Sequence, residues 1–515
     1  MVKKIAFLYC ILISFSTSAK TESIFRDTIF ISLSDSDFQA MERMRKDILL
    51  LGDKQNTQLK RKEYQSYLTC QVSYNGLNFS SQIRMKGDRM IHYEDGDVSY
   101  RVKLNGSSGI MGMKKFSLQK PRSKNYLYES FFHKALIRED IIGLRYIFIR
   151  LFINNKDVGI YAMEEFMDKK LIKHAKRKDG PILHFSEDIS AENLSLMEPE
   201  VFGKAPADKE GKARDKKALK LLGDFKNKKV KVSETFDIQR LGTFFALTDI
   251  LGFHHGAVAK SLRFYYNPDS SKFEPIGFDG HYGTENGIYI SAELGINPNA
   301  EWFYYFYKEW FSILFSNPKT FDGSFFSSYL RSLKRVCEKK YLDKLFADLD
   351  SEMQSEMELL ATDLKPNLAD HIFSFGPDTF KFSKVRIYER QAAIRELISP
   401  VNRIKAIILK HSKDSITIGI RNTERLPVEF LSIICDGKRV KIPPYSILPA
   451  NNWVSDTLYS PLKVSVPHYN SKKELKIEYW VQGLDDIKTE NVTLDSYGTI
   501  RDSSLIVSDT KFYNK

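Results

Sequence analysis

An alternating run from Tyr67 to Tyr74, a break at Asn75-Gly76 and a second alternating run from Asn78 to Met85 constrain this chain more than any other feature. Asn-Gly readily takes the two left-handed backbone conformations of a tight hairpin turn. With alternating flanks, the segment is expected to be an antiparallel hairpin with one buried face. Further strands are expected at Tyr100–Leu104 and Lys115–Gln119, joined by a turn through Asn105-Gly106-Ser107-Ser108. Gly106, Gly109 and Gly112 belong to that hairpin, because no helix follows them to make a phosphate loop. Tyr146–Ile153 and Gly159–Glu165 pair around Asn154-Asn155-Lys156-Asp157. Upstream, Thr28–Leu33 reads as a strand. A helix follows, with Phe38, Met41, Ile48 and Leu51 on one stripe, Ser36 and Gln39 as its capping box and Gly52 as its stop.

Helical patterning takes over later. It covers Leu127 to Arg138, then Phe236 to Leu251, and most of residues 300–411 with a turn near Phe375-Gly376-Pro377. A strand interrupts it at Leu262–Tyr266. Beyond Asp414 short alternating runs return at Ile416–Arg421, Glu429–Cys435, Leu475–Val481 and Ser504–Val507, separated by turn residues. The expected class is α+β: a domain over residues 20–411, β-rich to about residue 200 and helical after it, then an all-β sandwich over 414–515. A length of 515 residues accommodates this.

The first nineteen residues are expected to be an export signal. Lys3 and Lys4 precede an apolar run from Ile5 to Phe15, and Thr17-Ser18-Ala19 supplies a small-residue cleavage site. No later stretch has the ~18 apolar residues of a spanning helix, so a secreted, periplasmic or envelope protein without a further membrane span is expected. Cys70, Cys337 and Cys435 are too widely spaced for a disulfide framework or a zinc site. The net charge of +13 is spread thinly, which argues against nucleic acid as a partner. One segment concentrates it: residues 204–231 hold eleven Lys/Arg against four Asp/Glu. That segment is either a solvated helix and loop or a docking site for an anionic partner, such as an acidic or phosphorylated surface polymer.

The common short catalytic motifs are missing, among them the Walker phosphate loop, HExxH, GxSxG and the HRD/DFG pair. Chemistry-bearing residues concentrate between Asp249 and His281, with His254-His255-Gly256, Arg263 to Pro268 and Phe273 to His281. Asp279, before a glycine and after an apolar strand, is a place to hold a divalent cation, and a histidine beside it can act as base or ligand. The same residues also read as a turn Asp and core histidines bonded to backbone carbonyls.

Five segments together resemble the CotH family, the spore-coat-protein-H-like secreted kinases, over residues ~28 to 400. Arg84-Met-Lys-Gly87 resembles the family's R-x-[KR]-G turn, Ser99-Tyr-Arg-Val-Lys103-Leu104 its K-x-S-Y-[KR]-[IV]-K-[LF] strand, and Lys115-Phe-Ser-Leu118 the strand after it. Asn154 through Gly159-Ile-Tyr161 to Glu165 is similar to its N-G-x-x-x-G-x-Y-x-x-x-E hairpin, and Phe264 to Asp279 to its N-Y-Y-L-Y…W-D-x-D segment. The resemblance implies a two-lobed, kinase-like fold that binds ATP with Mg or Mn and phosphorylates Ser or Thr of an extracytoplasmic protein. It assigns Lys103 and Arg84 to the nucleotide phosphates, Glu165 as the lysine's partner and Asp279 to the metal.

Two family positions differ. The Asp expected after G-N-x stands here as His255, so His255 or Asp249 is left to face the acceptor hydroxyl. W-D-x-D reads Phe278-Asp279-Gly280-His281, with one carboxylate fewer to oppose magnesium's desolvation. Three readings follow: an exported phosphotransferase, a catalytically degenerate module that binds an envelope polymer or protein, or another reaction using His254 and His255 as metal ligands.

Overall fold

Asn75 and Gly76 take φ of 48° and 75°, and Asn154 and Asn155 take 47° and 63°, so both tight hairpins turn through the left-handed region. The computed structural model describes residues 28–50, 66–87, 92–94, 98–186, 196–203, 206–280, 288–294, 308–317, 319–363, 382–399, 404–412, 414–423, 426–448, 459–466, 474–481, 484, 486–493 and 507–508. The expected export signal, Gly52, the Phe375-Gly376-Pro377 turn and His281 lie outside them. The chain divides into two units, one of Met1–Ile137, Gly143–Lys178 and Ala347–Ser383, the other of Arg138–Ile142, Asp179–Phe346 and Lys384–Lys515. It is a mixed protein of sheets and helices.

In the first unit β1 (Thr28–Ser32), β2 (Leu68–Tyr74), β3 (Leu77–Met85), β4 (Tyr100–Leu104), β5 (Lys115–Gln119), β6 (Tyr146–Ile153) and β7 (Lys156–Glu165) close into a barrel. Its order is β1-β2-β3-β4-β5-β7-β6, and closure comes from the parallel pairing of β6 with β1. Strand alternation fills the interior with Val72, Ile83, Val102, Phe116, Leu118 and Met163. The other side of β6 and β7 is covered by α2 (Leu127–Arg138) and by Leu360, which packs with Phe148, Ile160 and Ala162.

Helix α1 (Asp35–Leu50) is capped two residues earlier than its sequence suggests. The Ser34 hydroxyl accepts from the Asp37 N–H at 3.1 Å and donates to the Asp37 carboxylate at 2.8 Å, leaving Ser36 inside the first turn. The hairpin glycine Gly159 has a structural cause. It sits at φ 88°, and a Cβ there would meet the Asp363 carboxylate at 2.5 Å. That carboxylate accepts from the Ile160 N–H at 2.9 Å. Gly159→Ala is expected to cost about 2 kcal/mol or more, combining left-handed strain with the clash. Urea unfolding checks this, and adding Asp363→Ala should recover only the clash component.

Helix α3 (Lys169–His174) belongs to the first unit; in the second, β8 (Ile182–Phe185) and β9 (Pro199–Val201) join β10 (Arg263–Asn267) and β11 (Lys272–Ile276) in a sheet of order β11-β10-β8-β9. Its helices include α4 (Lys209–Lys226), α5 (Val232–Thr235), α6 (Ile238–Leu251), α7 (Ser291–Leu294), α8 (Lys308–Phe315) and α9 (Gly323–Val336). At Gly242 the backbones of α6 and α9 approach so closely that a Cβ would lie 2.9 Å from the Tyr329 nitrogen. The C-terminal strands form one hydrogen-bonded series of eight, and it begins earlier than the sequence suggests. Ile404–His411 is a strand paired with Ser415–Asn422. Its Ile404, Ile407 and Ile408 also satisfy helical spacing, so the partner strand decides.

Candidate functional site

Among the described residues, each unit carries a cluster of the side chains singled out by the sequence. In the first, alternation points Ile83, Val102, Phe116 and Met163 into the barrel and turns Arg84, Arg101, Ser117 and Glu164 to the other side. These four lie directly opposite one another across β3, β4, β5 and β7, and Gln82, Lys103 and Lys115 form the adjoining row. Glu164 is buried. Its carboxylate accepts from Lys86 Nζ and Gln119 Nε2, both at 3.2 Å, and from Ser117 Oγ at 3.3 Å. Lys115 Nζ and the Arg101 guanidinium lie 3.5 and 4.7 Å from the Phe166 ring centre.

Cations outnumber anions on this face. Arg84 opposes Arg101 and Lys103 opposes Lys115, and like charges directly opposed across strands are destabilising. Burial pushes the Glu164 carboxyl up, but the Lys86 and Lys124 ammoniums outweigh it and bring the group down to about 2. Burial lowers Lys86 to about 8 and Arg101 to about 10, the attraction of Glu164 only partly offsetting it. Lys115 also falls to about 8, through burial and then the repulsion of Arg101 and Arg84. Such a face suits a chain of phosphates, whose oxygens would complete the unsatisfied charge.

Of the residues expected here, Lys103 is exposed in the middle of the adjoining row, with Nζ 3.4 Å from Gln82 Oε1. Arg84 donates to its neighbour's carbonyl, Met85 O, at 2.9 Å, with its guanidinium 5.5 Å from the Tyr67 ring centre. Glu165 pairs elsewhere. It lies on the side of Phe116 and Met163 and is gripped by Arg145, Nε to Oε2 at 2.9 Å and Nη2 to Oε1 at 2.5 Å. Lys103 and Glu165 are therefore not brought together, and Lys86 and Glu164 form the buried pair. Strand alternation carried the signal, since adjacent Glu164 and Glu165 must point to opposite sides.

In the second unit, Gly252 at φ 76° ends α6 and a short helical turn over His254–Ala257 follows. That turn sends the two histidines to different partners. His254 Nε2 donates to Asp249 Oδ1 at 2.9 Å. The same oxygen accepts from the Ser291 N–H at 2.8 Å and its hydroxyl at 2.6 Å, and Tyr329 donates to Oδ2. Asp249 is fully buried, and burial together with this carboxylate raises Tyr329 well above its ordinary range. Four donors make Asp249 an organiser of α6, α7 and α9.

His255 and Asp279 are brought together. His255 Nδ1 lies 2.7 Å from the Asp279 carbonyl, which can only accept, so Nδ1 carries a proton and the neutral form of the ring has its lone pair at Nε2. The Asp279 carboxylate is 3.6 Å from Nδ1. Asp279 lies three residues beyond β11 at φ 60°, a strained conformation of the kind that collects at functional sites. Nearby, buried Arg263 donates to the carbonyls of Lys260, Ser261 and Leu262, and its guanidinium lies 5.5 Å from the Phe278 ring centre.

Among the described residues no three His, Cys, Asp or Glu side chains group to hold a metal ion. Magnesium completes its shell with phosphate oxygens and waters, so the hard oxygens of Asp279 fit it. A comparison with protein families matches residues 83–365 to CotH, described as CotH kinase protein. The match covers just over half of the chain and includes the named residues of both clusters except Tyr67 and Gln82, which precede it. No curated protein matches the chain. No described helix is long and apolar enough to cross a membrane.

Proposed function

The chain belongs to the CotH kinase family, and on that premise we propose that it transfers the terminal phosphoryl group of ATP to a Ser or Thr of an extracytoplasmic or cell-surface protein. The observation that carries this reading is the opposed cations Arg84, Arg101, Lys103 and Lys115 beside the buried Lys86–Glu164 pair. They would bind the phosphate chain and take up charge as the bond to the leaving ADP oxygen breaks. Asp279 would hold Mg or Mn, which when bound supplies positive charge to the phosphate oxygens. His255 Nε2 would accept the proton of the attacking hydroxyl, and Asp249 would act through the fold by holding His254.

The same proposal takes residues 20–411 as a two-lobed, kinase-like domain, β-rich to about residue 200 and helical after it, the C-terminal strands as a sandwich module, and residues 1–19 as an export signal. A second reading, a degenerate binding module, is favoured by one observation, the single carboxylate at Asp279. Phosphate incorporation from labelled ATP by residues 20–515, with Mg and with Mn, separates the two. No incorporation and no thermal shift with nucleotide and metal would sink the first.

A pH dependence follows. Lys86 and Lys115 are both held at about 8, below their ordinary 10.5, so folding opposes their protonation. Without ligand, this contribution to stability falls as pH drops from 10.5 towards 8 and is constant below. An anion reverses the preference. ATP affinity is expected to rise from about pH 9 to about pH 7 as both lysines gain charge, which calorimetry without metal would measure.

A further inference from the structure

Helix α4 carries a charge pattern that the proposed phosphotransfer does not use. Gly211, Ala218, Leu222 and Phe225 form its buried side. Lys209, Lys212, Lys216 and Lys220 stand on the opposite side at i, i+3, i+7 and i+11, all exposed. At 1.5 Å per residue the row is about 16 Å long. Most cations around it are already answered: Arg214 by Asp179 and Glu210, Lys226 by Glu198, Lys228 by Glu309, and Lys229 and Lys220 by Asp224. Among the described residues, Lys209, Lys212 and Lys216 have no ion-pair partner. The row starts in the first turn, where the helix macrodipole disfavours cations, and its members repel one another at one-turn spacing. Helix stability does not account for it.

We propose that this row docks an acidic stretch of the acceptor polypeptide, as a recognition surface separate from the residues that handle phosphate. The term acceptor rests on the phosphotransfer reading, whereas the binding itself does not. Charge complementarity selects the partner's sign, and spacing selects its form. Same-side residues of an extended chain recur every ~7 Å, close to the steps of about 4.5 to 6 Å between successive lysines along the helix. Alternate Glu or Asp side chains can therefore each reach one lysine.

The test is fluorescence anisotropy, without ATP, on a labelled peptide of alternating Glu and Ser, about ten residues long so that it outspans the row. A Gln-Ser peptide and inorganic polyphosphate serve as comparison ligands. The protein should bind the Glu-Ser peptide in preference to both, more weakly at higher salt. Lys209→Glu/Lys212→Glu/Lys216→Glu should weaken that binding by about tenfold or more. Lys339→Glu/Lys340→Glu/Lys344→Glu, which changes net charge equally on another helix, should leave it within about twofold. Equal loss in the two variants would reduce the effect to net charge and overturn the proposal. So would unchanged binding in the first variant, or a preference for polyphosphate that the first variant abolishes. Because no nucleotide is present, an enzyme that fails to transfer phosphate would leave this result intact.

Discussion

Asp279→Asn is expected to lower phosphate transfer by about two to three orders of magnitude, the range seen when one preorganised electrostatic contact is removed from a reacting centre. Asparagine is the informative replacement. At φ 60° it is among the few residues that tolerate the left-handed region, so the turn beyond β11 should keep its shape. The backbone carbonyl that accepts from His255 Nδ1 is untouched. What disappears is one negative charge, and with it the ligand proposed for magnesium. ATP binding without metal should stay near wild type, because the opposed cations that carry it lie on β3, β4 and β5. Asp279→Ala would add backbone strain to the lost charge and blur the result. Labelled-ATP transfer as a function of Mn concentration is the measurement. Full activity at the same Mn concentration would remove Asp279 from the metal's shell.

Much of the first unit was legible because its signals are local. Two left-handed turn pairs and strict alternation place β2, β3, β6 and β7 without tertiary information. Barrel closure was not legible. It depends on β6 meeting β1 in parallel, a pairing separated by more than a hundred residues for which no turn signal exists. The site shows the same boundary. His255 and Asp279 are 24 apart in sequence and meet, as their surroundings suggested. Lys103 and Glu165 came from motif positions alone, and the sheet turns them to opposite sides. Asp249 was marked by its place at the end of α6, but its four donors arrive from segments up to 80 residues away. That is why sequence spacing could not separate an organising carboxylate from a reacting one.

The buried pair on the barrel face should respond to substitution in a crossed pattern. Glu164→Gln keeps an acceptor for Ser117 and Gln119 but leaves Lys86, Lys124 and Arg101 without their counter-charge. Removing one member of a buried pair typically costs about 3 to 5 kcal/mol, and a loss of that order is expected here. The gap between wild type and variant follows Glu164's own titration. The depressed carboxyl contributes stability that is present above its ordinary 4.5 and is lost as pH falls through about 2, so the two unfolding curves should converge in strong acid. Lys86→Met behaves differently. It takes one cation from a face already in excess, while Lys124 and Arg101 still oppose Glu164, so stability should fall by much less. Nucleotide binding should show the reverse order. Lys86→Met removes a phosphate contact and should lose affinity, whereas folded Glu164→Gln presents more positive charge and should bind ATP at least as tightly as wild type. Denaturant unfolding and calorimetry on both variants give the four numbers. Equal stability losses with unchanged ATP affinity would make the Lys86–Glu164 pair a fold element only, and the phosphate site would then rest on Arg84, Arg101, Lys103 and Lys115 alone.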